Sequence, residues 1–391
     1  MIGDGADTQF AMPDFVVSAN ALLERMVALN ASDLHLTVGS LPVVRVRGRL
    51  ERLDDLPELT AEQTRDLLYT ILSTEQQKRL EIDKQVDLSH EIPGLARFRV
   101  NVYRQKETVA GAFRLIPSAI KTLEELGIPA SLHELAKKPR GLVLVTGPTG
   151  SGKSTTLASL IDEINRTRSE HIITIEDPIE FLHAHKNCIV NQREIGPDAT
   201  GFADALRAAL RQDPDVILLG EMRDRETIGT ALTAAETGHL VLATVHTQSA
   251  PQTVDRVIDV FSAEQQAQVR TQLGGTLQGI VTQTLMPTAD GTGRVPALEI
   301  LLPDDAVRNL IRQGKTEQIY SYMQTGTSRG MQTMEQSLAD LIMRYVVTKE
   351  EAMSRSSRQD ELLGVLERAG FDGGAAYEAP DFDMALRAVG S

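Results

Sequence analysis

This 391-residue sequence holds a single cysteine, Cys188, and no tryptophan. One thiol excludes an internal disulfide and any zinc site built on cysteines. Aromatic residues make up 4% of the chain, which leaves little surface on which nucleic-acid bases could stack. Positive charge is also short: 40 Lys and Arg against 54 Asp and Glu give a net charge of −14. That balance disfavours general binding to a phosphate backbone, so no nucleic-acid partner is expected. No window nears the ~18 consecutive apolar residues of a membrane span. The opening residues, MIGDGADTQFAMPDF, lack the basic and apolar segments of a signal peptide. A cytoplasmic protein is expected.

What is present begins with Gly147, Pro148, Thr149, Gly150, Ser151, Gly152, Lys153 and Ser154. They fit the P-loop pattern G-x-x-x-x-G-K-[ST] at every fixed position. An apolar run, 141–146 (GLVLVT), precedes the loop, and a helical run from Lys153 to Asn165 follows. In that context backbone N–H groups turn inward around a phosphate chain at the positive end of a helix. Lys153 would reach the β- and γ-phosphates and Ser154 would ligate Mg²⁺, with Thr155 next in the nucleotide-binding stretch. ATP or GTP binding is expected.

The chain around the loop divides by pattern. Residues 1–14 read as a disordered leader. Residues 15–116 read as an α+β domain, with a helix over 15–29 and strands at 33–36 and 43–50. Capping boxes at Thr60-x-x-Gln63 and Thr74-x-x-Gln77 start two further helices. A hairpin of 96–103 and 108–116 closes the domain. A proline-rich connector over 117–140 follows. From Gly141, near-continuous apolar strands at 141–146, 171–176, 216–220 and 240–245 alternate with helices, the pattern of a parallel α/β sheet. After Ser262-x-x-Gln265 the chain reads as mostly helical, up to residue 370. Thr348-x-x-Glu351 caps one of these helices. Residues 371–391 read as a disordered tail.

Three further constellations follow the loop. Glu176, Asp177 and Glu180 flank Pro178 at the carboxyl end of a strand, where open α/β sheets bind ligands. The turn is either a solvated acidic bend or a source of carboxylates for Mg²⁺ and an attacking water. Proximity to a P-loop favours the second. The run 216–220 (VILLG) ends in Glu221, a Walker B arrangement, with Gly220 where an aspartate is usual. A third strand runs from His239 to His246. His239 suits a satisfied end-of-strand histidine equally well, whereas His246 is the better candidate to sense the γ-phosphate. On the hairpin, Arg97, Arg99, Arg104 and Arg114 are either solvated strand residues or, in a ring, arginine fingers for a neighbouring nucleotide.

Taken in order, P-loop, acidic box, a Walker B strand ending in Gly-Glu and a histidine box resemble the secretion and pilus ATPase superfamily. The segment 210–224 (LRQDPDVILLGEMRD) is similar to its signature throughout. Within the superfamily the chain resembles the PilT-type twitching-motility, or type IV pilus retraction, ATPases. The stretches 31–35 (ASDLH), 96–101 (ARFRVN), 190–194 (VNQRE), 234–239 (AAETGH) and 330–333 (GMQT) carry this resemblance. It implies a PAS-like N-terminal domain, a RecA-like core with a helical C-terminal region, and a homohexameric ring. It implies ATP and Mg²⁺ as cofactors. Glu180 becomes the catalytic glutamate, Glu221 the Walker B glutamate contacting Mg²⁺ through water, and His246 the histidine-box residue. Arg97, Arg99 and Arg114 fall in the segment that supplies inter-subunit arginines. Ala306, Val307, Arg308, Asn309, Leu310, Ile311 and Arg312 match a retraction motif, with Val307 in place of the usual isoleucine.

Implied partners are an inner-membrane pilus platform protein, with the ring at the cytoplasmic face of that membrane, and a paralogous retraction ATPase. The competing readings are an assembly or type II secretion ATPase, an accessory retraction subunit, and a DNA translocase. Absence of a cysteine quartet argues against the first, and the acidic composition against the last.

Overall fold

The computed structural model describes residues 17–46, 48–116 and 119–371. They form two compact units that divide between Ser118 and Ala119. The leader expected at 1–14 lies outside the described residues, as does the tail apart from Phe371.

In the first unit, α1 (Ala19–Ala28) is followed by β1 (Asp33–Leu36), β2 (Val43–Val46) and β3 (Arg49–Arg52). Two helices, α2 (Ala61–Tyr69) and α3 (Thr74–Asp83), lead to β4 (Gln85–Ile92), β5 (Ala96–Gln105) and β6 (Thr108–Ile116). The six strands form one antiparallel sheet in the order β3-β2-β1-β6-β5-β4. Alternation builds its core: Phe98, Val100 and Val102 are buried on one face of β5, and Phe113 joins them from β6. Ser18 caps α1, which starts at Ala19, four residues later than the expected start at 15. The strand expected over 43–50 is two strands, β2 and β3, around a turn at Gly48, whose φ is +82°. The second capping box lies one residue earlier than the sequence suggests. Ser73 and Gln76 close it, while Gln77 donates to the carbonyls of Tyr69 and Leu72.

The second unit begins with residues 119–140, expected as a connector, which pack into its core through Leu123, Ile128, Leu132 and Leu135. A short α4 (His133–Ala136) precedes β7 (Gly141–Thr146) and α5 (Lys153–Thr167). Next come β8 (His171–Glu176), β9 (Ile189–Glu194), α6 (Phe202–Ala209), β10 (Val216–Leu219), α7 (Arg225–Glu236) and β11 (Leu240–Val245). After α8 (Ala250–Asp259) and α9 (Ala263–Thr276) the chain forms β12 (Leu277–Pro287) and β13 (Arg294–Leu301). It ends in α10 (Asp305–Gln313), α11 (Ile319–Gln324), α12 (Met334–Met343), α13 (Lys349–Arg355) and α14 (Gln359–Arg368).

The sheet order is β13-β12-β7-β11-β10-β8-β9. Pairing is parallel from β12 to β9, and β13 closes one edge antiparallel. Residues in β7, β10 and β11 are buried on both faces, which is why these strands read as unbroken apolar runs. The stretch beyond Ser262, expected to be mostly helical, also holds two strands the sequence reading does not mark, β12 and β13. Ser262 also makes no side-chain bond to the backbone of α9. Its hydroxyl donates instead to Glu264 and Gln265.

Candidate nucleotide site

Parallel register aligns the motifs. Thr146 at the end of β7 lies opposite Val245 of β11 and Thr282 of β12, while Leu219 of β10 lies opposite Ile175 of β8 and Ala243 of β11. The loop after each strand therefore leaves from one edge of the sheet, the carboxyl edge where α/β proteins bind ligands. Gly147–Ser154, Glu176–Glu180, Gly220–Glu221 and His246 all follow these strand ends.

The P-loop has the backbone its glycines permit. Gly147, Gly150 and Gly152 have φ of +137°, +78° and +88°, and Gly152 starts α5. A Cβ at Gly147 would stand 2.2 Å from the Gln283 carbonyl oxygen, so that position admits no side chain. Lys153 Nζ donates to the carbonyls of Gly147 at 2.9 Å and Pro148 at 3.0 Å. Burial pushes its ammonium below the ordinary value, while Glu221 and Glu180 pull it back up. A buried cation held by two neutral carbonyls and faced by two carboxylates is poised to receive phosphate oxygens. Ser154 and Thr155 belong to the first turn of α5, and Pro148 and Thr149 to the loop itself. Pro148, Thr149 and Gly150 are on its surface or partly so, whereas Ser151 is buried.

The acids separate by environment. Glu176 is buried, and its Oε1 accepts from Thr174 Oγ1 at 2.7 Å and Gln192 Nε2 at 3.2 Å. Burial raises its carboxyl above the ordinary range. Its other oxygen accepts from the Glu180 backbone N–H at 3.5 Å. Glu180 is half-buried and Asp177 is exposed. Glu194, at the end of β9, accepts from the Ile179 N–H at 3.2 Å and braces the same turn. Neither Glu194 nor Gln192 was named as a site residue by the sequence reasoning. The signal that covers both is the stretch 190–194 (VNQRE), which carries the family resemblance.

Glu221 is 18% exposed. Its Oε1 meets Arg223 Nε at 2.5 Å and His246 Nε2 at 3.2 Å. Burial pushes its carboxyl up, but Arg223 and His246 outweigh that and hold it below the ordinary range. Gly220 stands where an aspartate is usual. A Cβ there would come within 3.3 Å of Glu176 Cα and of the Ile175 carbonyl, tighter than an ordinary contact between β10 and β8. Thr244 Oγ1 donates to the Gly220 carbonyl. His239 is not at this edge. Its ring bonds the Ala234 carbonyl at 2.9 Å, in line with the satisfied-histidine reading.

One residue of β12 enters the site unforeseen. Gln283 Nε2 donates to the Ser151 carbonyl at 2.7 Å, and its Oε1 accepts from Thr156 Oγ1 at 2.7 Å.

Arg97, Arg99 and Arg114 are on one face of the first unit's sheet, since Arg99 lies directly opposite Arg114 and Arg97 is two residues along β5. Arg114 Nε donates to Asp33 at 2.9 Å, Arg97 to Ser89 at 2.7 Å, and Arg99 is exposed. Arg104, further along β5, pairs with Glu81. The 306–312 motif is α10. Asp304 caps it by accepting from the Ala306 and Val307 N–H groups at 3.1 Å. Val307 and Ile311 are fully buried, and Arg308 donates to the last carbonyls of α9, those of Gly274 and Gly275. Asn309 and Leu310 line an open groove with Tyr322, and Arg312 packs beside Gly274.

A glycine loop on a helix N-terminus, its lysine, and two carboxylates of opposite environment on one edge of a parallel sheet define a P-loop nucleotide-binding protein. The chain belongs to the family described as type II/IV secretion system protein, whose model matches residues 16–367, and within it to the PilT-type branch. It is 52% identical over 326 residues to the type IV pilus retraction ATPase PilT of Pseudomonas aeruginosa, covering 83% of this chain and 94% of that one. It is 41% identical over 341 residues to the type IV pilus ATPase PilU of the same organism, covering 87% and 89%. The crystal structure of the pilus retraction motor PilT with bound ADP superposes with a TM-score of 0.85 at 50% identity, covering 89% of this chain and all of that one. The α/β fold class is that of this family.

Proposed function

We propose that this chain is an ATP-hydrolysing motor that retracts type IV pili, working as a homohexameric ring. The observation that carries the reading is the 52% identity that spans 94% of a retraction ATPase.

The chain's residues divide the work as follows. Inward-facing N–H groups of 147–154 bind the phosphates, and Lys153 exchanges its loop carbonyls for the β- and γ-oxygens. Glu180 orients the attacking water. Buried Glu176 holds the Glu180 backbone in place. His246 reads the γ-phosphate and reports it to Glu221 through their shared contact. No cluster of three His, Cys, Asp or Glu side chains able to hold a metal occurs among the described residues. A Mg²⁺ here thus needs substrate phosphate oxygens as ligands, as is usual for this ion. Ser154, and Glu221 through water, are the hard oxygen donors that would hold it, and it would supply charge neutralisation at the β- and γ-phosphates. Arg97, Arg99 and Arg114 would complete the site from a neighbouring subunit, in a ring closed by heterologous contacts.

Turnover would change the disposition of the two units, and successive changes around the ring would move a platform protein at the inner face of the membrane. No helix among the described residues is long and apolar enough to cross a membrane, which suits a peripheral position. A strain lacking this chain should carry excess surface pili and fail to twitch; a bald strain would assign the motor to assembly instead. The 41% identity to PilU favours one second reading, an accessory retraction ATPase. In that case pili would still retract in the deletion strain, with reduced force.

A further inference from the structure

Gln283 is a buried amide, 3% exposed, on the strand beside β7. A buried amide is costly unless its groups are bonded, and both bonds of Gln283 go to the nucleotide loop and its helix. They join residues 132 and 127 positions apart in the chain. The main chain of the same residue crowds Gly147. Its side-chain nitrogen stands 2.7 Å from where a Cβ of Gly152 would be. Next to it, Thr282 Oγ1 accepts from Thr146 Oγ1 at 2.9 Å, at the root of the loop.

The contact with Ser151 has a directional consequence. In a trans peptide the C=O and the following N–H point in opposite directions. Holding the Ser151 carbonyl against β12 therefore turns the Gly152 N–H away from the strand. Without the amide, the peptide between Ser151 and Gly152 can turn about the Ser151 ψ and the Gly152 φ, and Gly152, in the left-handed region, has no Cβ to oppose it.

We propose that Gln283 is a positioning residue for the nucleotide. It fixes the 151–152 peptide so that the Gly152 N–H faces the phosphate chain, and it ties that peptide to the first turn of α5 through Thr156. This rests on the reading of the loop as an ATP site. Gln283 acts through the loop and is not itself assigned a contact with nucleotide.

The test uses the purified full-length chain, a fluorescent ADP titration and steady-state ATPase, at a temperature where melting curves show each variant folded. Gln283→Met keeps the length and removes the amide. ADP affinity should fall about ten-fold, the value of a lost hydrogen bond or two. KM for ATP should rise by a similar factor while kcat stays within about three-fold, because the N–H serves ground state and transition state alike. Thr156→Val should reproduce part of the loss and Thr156→Ser should not. The double variant Gln283→Met/Thr156→Val should bind no worse than Gln283→Met alone, since the two residues share one bond.

A folded Gln283→Met with unchanged ADP affinity and KM overturns the proposal, as does additivity in the double variant. If Gln283→Met does not fold, the threonine pair decides: equal ADP affinity in Thr156→Val and Thr156→Ser overturns it, and a loss confined to Thr156→Val supports it. A wild-type chain that binds no ADP overturns the nucleotide-site reading and this one with it.

Discussion

His246 Nε2 lies 3.2 Å from Glu221 Oε1, the same oxygen that Arg223 Nε reaches at 2.5 Å. The ends of β10 and β11 thereby share one carboxylate. Two cationic or donor groups offset the cost of its burial and keep it ionised. Removing Arg223 leaves burial to act more strongly, so the Glu221 carboxyl should protonate at a higher pH. In Arg223→Ala the acid limb of the ATPase pH profile should move to higher pH, by a small amount because Arg223 is largely exposed. An unmoved acid limb would remove Glu221 as the group that titrates there.

Lys153 is the cation of the loop, buried and held by the carbonyls of Gly147 and Pro148. Lys153→Ala should cut kcat about a thousand-fold or more, as expected when a phosphate-clamping charge is lost. Near-normal turnover in this variant would sink the ATPase assignment.

Glu176 and Glu180 are four residues apart and should respond in opposite ways. Glu176 is buried and its oxygens accept from Thr174, Gln192 and the Glu180 N–H, so Glu176→Gln keeps the shape and an accepting oxygen and should leave turnover within about five-fold. Glu180→Gln should still bind ATP and lose hydrolysis by about a hundred-fold or more. Reversal of this pattern would move the water-activating role to Glu176.

Glu299 of β13 is buried and accepts from the Ala250 N–H at the start of α8. Burial pushes its carboxyl up to about 7, with Glu335 adding to the rise. The folded value is above the unfolded one. Its contribution to stability is therefore complete at acid pH and lost as pH rises through about 7. Melting temperature should fall across that range, and Glu299→Gln should flatten the fall by about 3–6 °C. An unchanged slope in thermal scans would rule out this carboxyl as its source.

Val307 of α10 is fully buried in the core of the second unit, packed among residues that include Ile311. Val307→Ala should destabilise the chain by about 1–2.5 kcal/mol through the cavity it leaves. Chemical denaturation would measure this. Asn309→Ala, on the groove side of the same helix, should cost less than about 0.5 kcal/mol.

Where strands are buried on both faces, the fold was plain in the sequence. β7, β8, β10 and β11 are near-continuous apolar runs, and their register brings the P-loop, acidic box, Glu221 and His246 to one edge. β12 was hidden for a physical reason. Its Thr282 and Gln283 interrupt the apolar pattern, and those polar residues are the ones bonded to Thr146 and the P-loop. β4 carries a readable signal in buried Val86 and Leu88, masked by the capped helix that runs into it. The capping box at 73–76 shows a different limit. Ser73, Thr74, Gln76 and Gln77 offer two overlapping patterns, and tertiary bonds of Gln77 decide between them. Gly220 departs from the usual Walker B pattern at a place where β10 lies close to Glu176, a proximity the sequence does not reveal.

The retraction assignment is tested most directly by imaging fluorescently labelled pili in a deletion strain complemented with the wild-type chain or with Glu180→Gln. Pili should extend in both strains and retract only with the wild-type chain. Normal retraction with Glu180→Gln, or a failure of pili to extend in the deletion strain, would contradict it.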